Sequence, residues 1–375
     1  MGYNNRIQYV NTLRGLAALS VVLSHYFDVF WRRRDAVNAL IASKSPVTND
    51  VPPYIEWLKF HPYVDYGAFG VALFFLISGF VITASLSKTA AVPFLCGRFW
   101  RIVPTYAAGF TVCLLAIRFN VWAYGGEWPY SLADVLVHYF PGMRVVAGTA
   151  NIDGIIWTLE IEVFFYLLCA MGAPLFRNLS PKILIIPAVL AAAILIAPYL
   201  VETSYSTFAG RLMFCGLFVI YMFAGSTLFL AQKGIISRAV AFAIVVAILV
   251  IFSGLWWYEP LIPFTQIWNY LSALVIFTVA FSLPRLFRGN KVTDFFADIS
   301  YPLYAVHGVA GYTLLVWLLG NGISTPASLA ITTLAAILAA YIIHRLVEIP
   351  SHGMSKRVSR PKLVSMDHEG LASRV

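Results

Sequence analysis

Residues 13–31 read LRGLAALSVVLSHYFDVFW. A helix of about 20 mostly apolar residues spans the ~30 Å hydrocarbon core of a bilayer, and this run qualifies. It nevertheless carries Arg14 near one end and His25 well inside. Ionisable groups are costly in lipid, so an intramembrane one marks a functional position by default. On an α-helix Arg14 and His25 lie about three turns apart, roughly 16 Å of rise, with an angular offset of only about 20°. Both side chains therefore point the same way at different depths.

The rest of the chain agrees with a membrane setting. Of 375 residues, 60% are hydrophobic and 11% charged, with mean hydropathy +0.79. A soluble domain of this length carries about twice that charged fraction. Apolar runs give about ten spans, near 12–31, 67–86, 102–118, 154–174, 182–200, 211–231, 238–257, 267–284, 301–320 and 326–346. The expected fold is an all-α polytopic membrane protein. An even number of spans puts both termini on one side, and Lys and Arg favour that side by roughly 18 to 8, so the termini are expected in the cytoplasm. The net charge of +9 follows from this topology. No basic cluster interleaved with aromatics occurs in a polar domain, which argues against nucleic acid. The first run reads as a signal anchor, being too long for a cleaved leader and interrupted by His25 and Asp28. Residues 1–350 form the membrane domain, and 351–375 read as a basic, disordered cytoplasmic tail. Arg32, Arg33 and Arg34 read as an interfacial stop on an outer loop. Cys96, Cys113, Cys169 and Cys215 have neither disulfide-framework nor metal spacing, and no metal site is expected.

Further polar residues sit in or beside the runs. In GAFGVALFFLISGFVITASL (67–86), Gly67, Gly70 and Gly79 allow another backbone to come close. FLCGRFWRIVPTY (94–106) sets Arg98 and Arg101 on one helical face, a bidentate arrangement suited to phosphate, and Pro104 is expected to bend or restart the chain. In DGIIWTLEIEVFFYLL (153–168), Glu160 and Glu162 point about 200° apart and cannot serve one site. Glu162 shares a face with Phe165, Tyr166 and Cys169, and Glu160 with Trp157 and Phe164. A histidine–carboxylate pair fixes a tautomer and raises basicity, so His25 with Glu162 is the expected pair. ISYPLYAVHGVAGY (299–312) places Tyr304 and His307 on one face, and Arg345 with Glu348 reads as an interfacial ion pair.

Five blocks in this order resemble membrane acyltransferase family 3: the Arg14-x10-His25 signature, FGVALFFLISGFVIT, RFWR, WTLEIEVFFYLL with Thr158 at a usual serine, and SYPLYAVHG. The resemblance runs from about residue 7 to 350. It implies an integral-membrane O-acyltransferase that moves an acyl group, usually acetyl, from cytoplasmic acyl-CoA to a hydroxyl of a carbohydrate or glycolipid. Such acceptors include lipopolysaccharide, exopolysaccharide, peptidoglycan and lipochitooligosaccharides. Acetyl-CoA is then a donor substrate, and no bound cofactor is expected. Under this reading His25 and Glu162 are catalytic, with His25 as general base or as the site of a covalent acyl intermediate. Arg14, Arg98 and Arg101 bind acyl-CoA, while Trp157, Tyr166, Tyr304 and His307 belong to the substrate site. Expected partners are membrane lipids, the glycan acceptor and glycan-assembly proteins, and the expected location is a bacterial inner membrane. No extracytoplasmic esterase-like domain is expected beyond the last span. The outer segments 32–66 and 119–153, with Trp122, Trp128 and Tyr130, are expected to meet the acceptor. The rival reading is a transporter or flippase for an anionic or lipid-linked substrate; no repeat relates two halves of the chain in its support.

Overall fold

A computed structural model describes residues 7–44, 51–58, 63–258 and 262–359. Among them every regular element is helical. Helix α1 (Gln8–Ser24) runs into a π turn at His25–Val29. There follow α2 (Tyr66–Leu86), α3 (Ala91–Tyr124), α4 (Ile156–Met171), α5 (Ile185–Ile196), α6 (Phe208–Gln232), α7 (Arg238–Trp256) and α8 (Ile267–Ser282). A bent pair, α9 (Ser300–Val306) and α10 (Val309–Gly320), turns by 55°. Last come α11 (Thr325–Ile343), a second π turn at His344–Glu348, and α12 (Ile349–Val358).

Eight helices among the described residues are long and apolar enough to cross a membrane, or nine if the bent pair is one span. This is an all-α polytopic membrane protein. The expected fourth span is the exception to the sequence reading. Its helix α4 has 16 residues, which is too short to span the bilayer core on its own.

Helix α6 occupies the centre, with every residue from Phe214 to Leu230 buried. Its closest neighbour is α2, and glycine makes the approach possible. A Cβ at Gly79 would overlap the Met222 carbonyl, and one at Gly225 would overlap the Leu76 carbonyl. Ser226 Oγ donates to Gly79 O at 3.1 Å across the same contact. Without a hydrophobic driving force between helices in lipid, such backbone contact and interhelical hydrogen bonding hold the pair. Gly70 does the same toward α1, where a Cβ would stand 2.7 Å from Ala17 O.

Three expectations change. Pro104 lies inside one continuous α3, so the restart allowed for in the sequence does not occur there. The expected tail begins later than residue 351: Ile349–Val358 is helical and docks on α3, with Ser355 Oγ donating to Gly97 O at 2.7 Å. Gly97 lacks the side chain that would block Ser359, which explains the close fit. Residues 360–375, the remainder of that tail, lie outside the described residues. The three arginines are also not alike. Arg32 pairs with Asp28 at 2.7 Å and Glu56 at 2.8 Å, whereas Arg34 is buried with its guanidinium 4.1 Å from the Phe30 ring centroid.

Candidate active site

Helices α1, α2, α3, α4, α9 and α12 enclose a cavity of about 520 Å³. Arg14, Arg98, Arg101 and Lys356 line one end, where α1, α3 and α12 reach their termini, so this end lies at the edge of the bundle. The expected acyl-CoA-binding arginines therefore share one chamber. Arg98 is held over the rings of Phe94 and Tyr166, at 5.2 and 5.8 Å. Such stacking keeps a guanidinium in place while leaving its fork of donors for an anion.

Farther in, Glu162 lines the wall. It accepts from Ser78 Oγ and, at 3.0 Å, from Tyr166 Oη. The cavity also meets Phe74, Thr158 and Tyr304. Tyr304 shares a hydrogen bond of 2.9 Å with Thr158, and its ring lies edge-on to Phe74 at 5.9 Å. On its far side it approaches the His307 ring at 5.7 Å. Neither His25 nor His307 lines the cavity itself; Tyr304 and Phe74 stand between.

His25 lies beyond Tyr304 and His307, at the first residue of the π turn. Tyr312 Oη lies 2.6 Å from its Nδ1, with the two rings stacked at 5.6 Å. His307 stands edge to face with it at 4.6 Å and 77°. The expected His25–Glu162 pair is thus not formed: the α4 carboxylate is engaged with Ser78 and Tyr166 in the cavity, and a histidine and a tyrosine take its place beside His25. Trp157 also departs from expectation. It packs on Phe75, Phe214 and Phe218 rather than lining the cavity.

The opposite orientation of the two glutamates holds. Glu160 is buried and receives Arg144 through both carboxylate oxygens, Nε–Oε1 being 2.8 Å. Arg144 comes from a short helix, Met143–Ala147, in the loop before α4, and Tyr205 Oη also lies within 3.4 Å of it. Pairing with Glu160 holds the guanidinium above its usual range despite burial. Nearby, Arg211 donates to Val145 O at 2.8 Å and ties the loop to α6. Asp153 accepts from the backbone N–H groups of Ile155 and Ile156 at 3.0 Å and from Tyr106 Oη at 2.6 Å, fixing the start of α4. His138 accepts from Ile152 N–H through Nε2 at 3.0 Å, and burial pushes its imidazole below the usual range. Arg144, Asp153, Arg211 and His138 went unread in the sequence; a buried charge on α4 needing a counter-charge was their one signal.

The last helix holds a second departure. Glu348 is buried and pairs with His344 at 2.7 Å and His352 at 3.6 Å, not with Arg345. The widened π turn at His344–Glu348 keeps positions four apart aligned and swings the position three apart off the face. All three groups line the same cavity.

The family model described as an acyltransferase domain matches residues 7–345. The chain is also similar to Nodulation protein 10 of Rhizobium leguminosarum bv. viciae, with 26% identity over 292 residues that cover 67% of this chain and 73% of that protein. No solved structure matches.

Proposed function

This chain belongs to membrane acyltransferase family 3, and on that premise we propose that it transfers an acyl group, acetyl in the first instance, from acyl-CoA to a hydroxyl of a carbohydrate or glycolipid. One observation carries the reading: a single cavity gathers Arg14, Arg98 and Arg101 at one end and leads inward to Tyr304, which touches His307 beside His25. Guanidiniums at the rim suit the phosphates of the donor. A cavity of this size lies in the range that holds a small ligand, and its apolar wall of Val71, Phe74 and Val81 suits the arm that carries a thioester. Glu162, freed from any duty at His25, accepts an amide N–H of that arm. The acyl end must then pass Tyr304 to reach His25. There neutral His25 removes the acceptor's proton as its oxygen attacks the thioester carbon, a step typically worth about 10²–10⁴ in rate. The donor enters from the cytoplasm, with both termini on that side, and the protein resides in a bacterial inner membrane.

The test is labelled acetyl transfer from acetyl-CoA in membrane vesicles at matched protein abundance. His25→Ala should lose about 10²–10⁴ in transfer while donor binding persists. The double variant Arg98→Ala with Arg101→Ala should lose donor binding, read as loss of thermal stabilisation by CoA. Transfer that survives both changes would sink the assignment.

A further inference from the structure

His25 faces a histidine where a carboxylate is expected, and the hydrogen-bond count around it shows what that histidine can do. A neutral imidazole carries one N–H; after taking a proton it carries two, and in a buried site both need acceptors. Tyr312 Oη attends Nδ1. Among the groups packed on His25 there is one further ring nitrogen with nothing bound to it: Nε2 of His307, on a side chain that is wholly buried. The tautomer of His307 follows from its other nitrogen. Nδ1 lies 3.0 Å from Leu303 O and 2.9 Å from Tyr304 O, and two carbonyls can only be met by an N–H. Nε2 therefore carries the lone pair and is an acceptor without a donor. Native proteins rarely leave such an atom buried, because the lost hydration is not recovered.

The surroundings hold the His307 ring edge to face against the His25 ring, 4.6 Å between centroids. Tyr26, the residue after His25, donates its hydroxyl to His307 O at 2.9 Å. Its ring fits because Gly311 has no Cβ, which would overlap the Tyr26 hydroxyl. The break at Gly308, between α9 and α10, is thereby tied to the π turn that begins at His25.

We propose that His307 is a positioning residue for the transfer reaction, its Nε2 accepting the N–H of protonated His25 that Tyr312 does not hold. The inference rests on the function proposed above. In the step it serves, the acceptor hydroxyl passes its proton through the Tyr312 hydroxyl to Nδ1 of His25 as its oxygen forms the new bond to the acyl carbon, while the N–H on the other nitrogen stays on His307. The carbon–sulfur bond then breaks, and the leaving thiolate takes that proton back from His25 by the same route. His307 makes and releases a hydrogen bond only, and no oxidant or further reactant is needed.

Two substitutions separate the acceptor role from a packing role. In His307→Asn the amide nitrogen replaces Nδ1–H and keeps the contacts to the Leu303 and Tyr304 carbonyls, but nothing stands at the Nε2 position. In His307→Gln a carbonyl oxygen can stand there. Both are compared with wild type and His25→Ala in vesicles, using acetyl-CoA as donor and the vesicle's own glycans as acceptor, with abundance and thermal unfolding matched. The expected result is a kcat about ten- to a hundredfold lower for Asn, with KM for acetyl-CoA unchanged, and Gln within a few-fold of wild type. Equal losses in the two variants, or a larger loss for Gln, would overturn the assignment of His307 while leaving His25 in place. A wild type that transfers nothing from acetyl-CoA would instead overturn the functional reading and this inference with it.

Discussion

The rim of the cavity and the surroundings of His25 are both served by the first helix and the turn that follows it, and they are built from different materials. At the rim stand Arg14, Arg98, Arg101 and Lys356, with Glu348 between two histidines. Around His25 the ring contacts are those of Tyr312 and His307. Charge is concentrated where the helices reach the bundle's edge and water can screen it. It thins where each unpaired polar atom is expensive and the number of hydrogen bonds decides what a proton can do. A phosphate-bearing donor suits the first environment and a proton transfer the second, with Tyr304 as the wall between them.

The two glutamates of α4 carry the same contrast, and substituting them sharpens it most. Glu160→Gln leaves Arg144 buried without its counter-charge, and breaking such a pair costs about 3–5 kcal/mol. Thermal unfolding of the purified protein should show a large loss of stability. Glu162→Gln keeps its hydrogen bonds to Ser78 and Tyr166 within reach, so stability should change by less than about 1.5 kcal/mol. Its effect should fall on KM for acetyl-CoA. Equal destabilisation by both would erase the distinction between the structural and the cavity carboxylate.

Breaking the wall is the next test. Tyr304→Ala removes the ring that lies against Phe74 and His307. Transfer of acyl groups longer than acetyl should rise relative to acetyl, measured with a series of acyl-CoA donors. Tyr304→Phe keeps the ring and loses only the bond to Thr158, worth about 0.5–1.5 kcal/mol, and should leave the preference unchanged. A preference unmoved by Tyr304→Ala would mean that Tyr304 is not the barrier between the cavity and His25.

The smallest effect concerns the frame. His138 is neutral in the fold, where it accepts from Ile152 N–H. Its folded pKa lies below the ordinary histidine value, so under acid the unfolded chain binds the proton first. Stability should be complete above about pH 7 and decline as the pH falls through the ordinary histidine value near 6.5. His138→Gln should remove that part of the slope in thermal unfolding followed from pH 7.5 to 5.5. An unchanged slope would assign it to another group.

Much of this protein is written in its local sequence. Apolar run lengths identify the membrane spans, because a bilayer of nearly constant thickness imposes the same length on any helix that crosses it. Helical periodicity put Arg98 beside Arg101 and turned Glu160 away from Glu162, and glycine spacing marked α2 for close packing. These readings hold because each depends on residues within a few turns of one helix. Partners drawn from distant segments were not legible. Arg144 reaches Glu160 from a loop, and Tyr312 and His307 reach His25 from the far end of the chain. The π turns at His25 and His344 and the 55° bend at Gly308 carry no local signature, yet they decide which side chains meet. The sequence by itself determined a helical membrane protein with buried ionisable groups. Only the tertiary structure decided that Glu162 lines the cavity and that His307 packs on His25, because groups far apart in the chain meet only where the helices pack.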